Sequence, residues 1–132
     1  MSGIVVFSHP GLIDFWTERH LCTFTTLRRD GSPHVVAVGA TLLGDTARII
    51  SSSTSAHVRH IRNGQTRVAI CQVDGPRWST VEGTATVFDS PEKVAEGEKL
   101  YAARYRTPRP NPARVVIEIS VTKILGSSAF TG

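Results

Sequence analysis

The stretch LCTFTTLRRDGSPHVVAVGATL, residues 21–42, decides the architecture of this chain. Two runs rich in β-branched residues flank Asp30-Gly31, a dipeptide suited to the backbone of a tight hairpin. The first run is LCTFTTL and the second PHVVAVGATL, residues 33–42, and the two are read as strands one and two of an antiparallel pair.

Working outward, Leu43-Gly44-Asp45 turns the chain into TARIISSS, a third strand. STSAHVRHIRNG then has hydroxyls at its start and Gly64 at its end, the signature of a short helix. TRVAICQVD and WSTVEGTATVFD, joined by the DGPR turn, give strands four and five. Ser90-Pro91-Glu92 opens a helix that reads through about Arg106, and VVIEISVTKIL supplies strand six. Upstream, SHPGLIDFWTERH reads as a lid helix capped by Ser8, with Leu12, Phe15 and Trp16 on one face. Six strands joined mostly by hairpins, with helices appended, do not alternate as a doubly wound sheet does; they predict a mainly β, six-stranded, closed antiparallel barrel.

At 132 residues and 40% hydrophobic content the chain suits one domain spanning 1–132 with a full core. No apolar run is long enough to span a bilayer, and the first dozen residues lack a leader pattern, so no membrane partner and a cytoplasmic location are expected. Cys22 and Cys71 sit inside strand runs and read as packing. His57 and His60, at i and i+3, have no third ligand nearby in sequence, so no metal is expected.

The net charge of +4 implies an anionic partner, and the charge is concentrated locally. Residues 46–73 contain no carboxylate, yet hold Arg48, Arg59, Arg62, Arg67, His57 and His60; RYRTPRPNPAR, residues 104–114, is also acid-free. In the first window SSSTSAHVR places hydroxyls at a strand end before a helix and basic side chains, which is either a phosphate site or a capped turn. In the second, three prolines limit the backbone to extended forms and lower the entropy lost when Arg106, Arg109 and Arg114 close on an anion; the alternative is a solvated connector. Trp78, at a strand entrance, either stacks on a planar ligand or seals an interface. Nucleic acid is disfavoured because no face gathers the aromatics that stacking on bases requires. No nucleophile elbow, P-loop or dinucleotide glycine motif occurs.

The strand order, the hydroxyl-rich end of strand three and the DGPRW turn together resemble the split-barrel flavin/deazaflavin oxidoreductases, the pyridoxamine 5′-phosphate oxidase-like superfamily, from about Leu12 to Ala129. Within it, CQVDGPRW at 71–78 and YRTPRPNPARVVIEI at 105–119 resemble an actinobacterial group, the F420-dependent biliverdin reductases.

That resemblance implies a split β-barrel homodimer with a cofactor groove between subunits, coenzyme F420 as cofactor with FMN as the alternative, and hydride transfer to a small anionic conjugated acceptor such as biliverdin. It implies that Ser51, Ser52, Ser53, Ser55, His57, Arg59 and Arg62 serve the cofactor phosphate. By the same resemblance Pro33, His34, Val35 and Val36 line the deazaflavin ring, Trp78 approaches from the other subunit, and Arg106, Arg109 and Arg114 meet substrate carboxylates. The chain departs from the group at His57, where Lys or Arg is common, and at His60, where Asn is frequent. No acid/base residue is singled out, because the cofactor carries the reactivity.

Overall fold

The computed structural model describes residues 3–4 and 9–130. Its elements run β1 (Gly3–Ile4), α1 (Pro10–Thr17), β2 (Cys22–Leu27), β3 (Pro33–Val38), β4 (Ala40–Leu43), β5 (Thr46–Ser52), α2 (Ala56–Arg62), β6 (Arg67–Asp74), β7 (Arg77–Phe88), α3 (Pro91–Arg104) and β8 (Arg114–Gly126), then a single 3-10 turn at Ser128–Phe130.

All strands join one antiparallel sheet in the order β3-β2-β6-β7-β8-β5-β4, with β1 on β8. The β2–β3 hairpin forms at the expected turn, where Gly31 takes φ 86° and Asp30 accepts from the Ser32 backbone N–H at 2.9 Å. The six strands read from the sequence become seven along this path. Residues 33–42, read as one strand, are divided at Gly39 into β3, which pairs with β2, and β4, which pairs with β5. The two pieces lie at opposite ends of the sheet path yet are separated by one residue, so the sheet curls until its edges meet at that corner, as in a split barrel. A side chain there would force the tyrosine rings to shift: a Cβ on Gly39 would lie 2.8 Å from a ring carbon of Tyr101 and 3.1 Å from one of Tyr105.

Alternation along the strands sends Phe24, Ile49, Ile70, Val81, Ile117 and Ile119 into the barrel. Helix α1 closes one end with Leu12, Phe15 and Trp16 buried, and the Trp16 indole N–H donates to Ser79 Oγ at 3.0 Å. Its N-cap is His9, whose ring nitrogen accepts from the Gly11 N–H; Ser8, the cap read from the sequence, lies outside the described residues.

Helix α3 packs on β5 and β8. Its Glu96 pairs with Arg48, and its Lys93 pairs with Glu118, which also holds Arg48. Arg48 therefore belongs to an ion-pair network, and the charge that looked unpaired in residues 46–73 is in part neutralised by carboxylates distant in sequence. The helix ends at Arg104, two residues before the expected limit. Tyr105 leaves helical geometry at φ −116°, ψ −85°, and the proline-bearing segment follows.

Candidate functional site

Two backbone features bring the two acid-free windows together. Ser52 lies opposite Arg114 in the β5–β8 register, and the Ser53 N–H donates to the Ala113 carbonyl at 2.9 Å. Asn111 sets this approach, since its side-chain oxygen accepts from the Ala113 N–H and its carbonyl from the Arg114 N–H. The proline-arginine segment is thereby fastened beside the hydroxyl-rich end of β5.

Between them lies a cavity of about 350 Å³. Ala37, Val38 and Gly39 form the barrel corner on one side, Ser51 and His57 the hydroxyl end, Tyr101 the helix side, and Arg106, Arg109 and Arg114 the basic wall. Five residues singled out by sequence, Ser51, His57, Arg106, Arg109 and Arg114, thus meet in one place.

Their bonding differs. Ser51 Oγ donates to Ser55 Oγ at 3.0 Å and lies 2.6 Å from His57 Nε2. With its one hydrogen given to Ser55, Ser51 accepts from His57, which sets the Nε2–H tautomer of the neutral ring. Burial, then the nearby His34 and His60, push the His57 titration below its ordinary value. His60 is lowered likewise by desolvation and neighbouring positive groups, while its Nδ1 lies 2.9 Å from Thr26 Oγ1 and its ring meets His34 edge-on at 5.0 Å.

Arg114 donates to Glu98 at 2.8 Å, but its Nε is buried without a hydrogen-bond partner. A buried guanidinium N–H left unpaired costs about 1–3 kcal/mol, a cost that an acceptor in the cavity removes. Arg106 and Arg109 have no ion pair among the described residues. An orphaned buried donor, two free guanidiniums and a hydroxyl–imidazole pair suit a phosphate and carboxylates.

Other predicted residues stand elsewhere. Arg59 donates to the Thr54 carbonyl at 2.6 Å, folding back on its own turn, and Arg62 is exposed at the far end of α2. Ser52, Ser53 and Ser55 belong to the turn beside the cavity but do not line it. On β3, His34 and Val36 point inward, and the His34 Nδ1 is a second buried atom without a partner. Pro33 and Val35 point outward, as does Trp78, which sits opposite Val73 on β7 and β6.

Three features went unread in the sequence. Tyr101 and Tyr105, at i and i+4, pack ring against ring at 5.0 Å, tilted by 31°, beside the Gly39 corner; that spacing was the available signal. Arg104, the first arginine of the acid-free run, is buried and donates to the carbonyls of Glu18 and Ala40 and to Gln72 Oε1 at 2.8, 2.6 and 2.7 Å. Arg77 of the DGPRW turn bridges Glu18, at 2.9 and 3.1 Å, and Asp74, and lies over the Phe15 ring. The group Glu18, His20 and Asp74, whose ligand atoms approach as a metal site's would, thus surrounds a guanidinium, and Arg77 and then His20 pull the Glu18 carboxyl down to about 2.

Solved structures share the architecture. A conserved hypothetical protein of Mycobacterium tuberculosis aligns with a TM-score of 0.79 at 21% identity, covering 95% of this chain and 87% of that one. A structure described as an F420 reductase aligns at 0.72 and 23% identity over 91% and 98%. At those identities they establish the fold alone. In sequence, an F420H(2)-dependent biliverdin reductase of Mycobacterium tuberculosis (strain CDC 1551 / Oshkosh) is 50% identical over 117 residues, 86% of this chain and 84% of that protein. The pyridoxamine 5′-phosphate oxidase family profile matches residues 10–127, nearly the whole barrel with its cavity, and the chain belongs to that family.

Proposed function

We propose that this protein is an F420H2-dependent reductase that converts biliverdin to bilirubin. The observation that carries the reading is the cavity in which Ser51, His57, Arg106, Arg109 and Arg114 converge, in a chain half identical to an F420H(2)-dependent biliverdin reductase. A phosphate-bearing deazaflavin with a glutamyl tail fits this residue set, because the cavity offers an orphaned donor and free guanidiniums. When bound, reduced F420 supplies the hydride.

The chain's own residues bind, orient and exclude water. Ser51, His57 and the Arg114 Nε take the phosphate, with Ser52, Ser53 and Ser55 presenting the turn behind it. Arg59 and Arg62 add positive potential at the margin rather than contacts. The backbone of Pro33, His34, Val35 and Val36 on the edge strand β3 borders the ring, and Arg106 and Arg109 meet carboxylates of tail or substrate. No carboxylate lines the cavity, and the proton that completes reduction is assigned to solvent or to a water polarised by the arginines.

The reading includes a homodimer. Val35 and Val73, 57% and 63% exposed, share the outer sheet face with Thr25, Ala69, Cys71 and Trp78, and a second copy covers them. Trp78 then reaches the partner's groove, which supports placing it at a cofactor ring. Two free cysteines accord with a cytoplasmic location, and no helix among the described residues is long and apolar enough to cross a membrane.

Titration of the purified protein with F420 and with FMN, followed by fluorescence, tests the reading. Saturable F420 binding with weak or no FMN binding is expected; tight FMN binding without F420 binding would overturn it in favour of a flavin enzyme. Tight binding of F420 and biliverdin without turnover would make the barrel a carrier.

A further inference from the structure

A second cavity, of about 420 Å³, is lined by Arg19, Leu21, Tyr101, Tyr105 and Arg106. It shares Tyr101 and Arg106 with the first, so the two adjoin across one phenol ring and one guanidinium. Its volume falls in the range of small-molecule sites, about 300–1,000 Å³.

The wall is rigid and aromatic. The Tyr105 hydroxyl accepts the Ala40 N–H and is held against the carbonyls of His20 and Ala40 at 2.7 and 2.9 Å, and the Tyr101 ring lies at 31° to that of Tyr105. Leu21, 71% exposed, adds an apolar rim. The charge is all of one sign. Arg19 and Arg106 have no ion pair among the described residues, and Arg104, its guanidinium 5.2 Å from the Tyr105 ring centroid, is held only by neutral oxygens. Glu18, the nearest acid in sequence, is engaged by Arg77 and His20.

Flat aromatic walls, one apolar rim residue and two guanidinium forks select a ligand with a planar conjugated body and a carboxylate arm. A glutamyl tail has no such body and would leave Leu21 and the tyrosine pair unused. Resting on the reductase reading, we propose that this second cavity is the acceptor subsite, with Arg19 and Arg106 gripping a carboxylate arm of the tetrapyrrole and Tyr101 and Tyr105 facing its conjugated plane. Arg106 then stands between cofactor and acceptor and couples the occupancy of the two cavities.

The test compares the wild type with Arg19→Gln and Arg19→Lys in visible-absorbance titrations, without cofactor, of biliverdin and of its dimethyl ester. F420 binding is followed separately by fluorescence. Arg19 bonds to no described residue, so the variants are expected to fold. Arg19→Gln should weaken the diacid about tenfold, with Arg19→Lys intermediate, while the preference for acid over ester shrinks by the same factor and F420 affinity is unchanged. Unchanged diacid affinity, or equal weakening of acid and ester, would overturn the subsite. Absence of F420 binding by the wild type alongside the expected tetrapyrrole pattern would remove the reductase reading and leave the subsite standing.

Discussion

Arg109 is exposed, follows Pro108 and makes no hydrogen bond or ion pair with a described residue, so its contribution to stability should be small and its contribution to an anionic ligand large. Arg109→Ala is expected to weaken F420 affinity about tenfold while shifting the thermal midpoint little. Lost stability with normal affinity would return the segment to the role of a connector. His57 gives a pH prediction. Its folded-state titration lies below the ordinary 6.5, so as pH falls below that value the unfolded chain takes a proton that the folded chain resists. Stability should therefore decline on acidification from about pH 7 toward about pH 5, less steeply in His57→Gln, which retains an N–H for Ser51. A bound phosphate favours the charged ring, so inorganic phosphate should oppose the decline in the wild type more than in the variant. Urea unfolding midpoints across that range check both. His57 was legible as a candidate because hydroxyls precede it, and the fold places it on the cavity beside Ser51. Its low titration was not, since its burial, the largest cause, and the approach of His34 on β3 arise only through the fold, whereas His60 is its neighbour on α2.

At the scale of elements, the corner at Gly39 and the end of α3 are one construction. The β3–β4 bend brings the Gly39 backbone against Tyr101 and Tyr105, and Arg104 then ties the helix end to β4 through the Ala40 carbonyl and to the α1 loop through that of Glu18. Gly39→Ala must push aside the Tyr101 ring and is expected to cost about 1–3 kcal/mol in chemical denaturation. Arg104→Lys keeps the charge but loses the fork that reaches three acceptors, and should cost about 3 kcal/mol. Both effects would also misplace Tyr101, and with it the wall common to the two cavities. The hairpin at Asp30-Gly31, both principal helices and every long strand were legible, because turn chemistry and alternation are local. The break within residues 33–42 was not. Glycine in an apolar run reads as strand until the sheet order shows that its two flanks pair with strands at opposite edges.

For the whole molecule, charge taken along the chain misled in part, because Arg48 and Arg114 find Glu96, Glu118 and Glu98 across the barrel. Of the cations without an ion pair among the described residues, Arg19, Arg106 and Arg109 are the ones gathered around two adjoining cavities. The outer face carrying Val35 and Val73 should dimerise: sedimentation of the wild type is expected to give a dimer, and Val35→Glu or Val73→Glu a folded species shifted toward monomer. A monomeric wild type would remove Trp78 from any cofactor groove. The most direct test of the central claim is anaerobic mixing of F420H2 and biliverdin with the protein, following the cofactor and tetrapyrrole absorbances together. Protein-dependent oxidation of the cofactor matched mole for mole by bilirubin is expected; no turnover with F420H2, or biliverdin left intact while the cofactor is oxidised, would overturn the reductase reading.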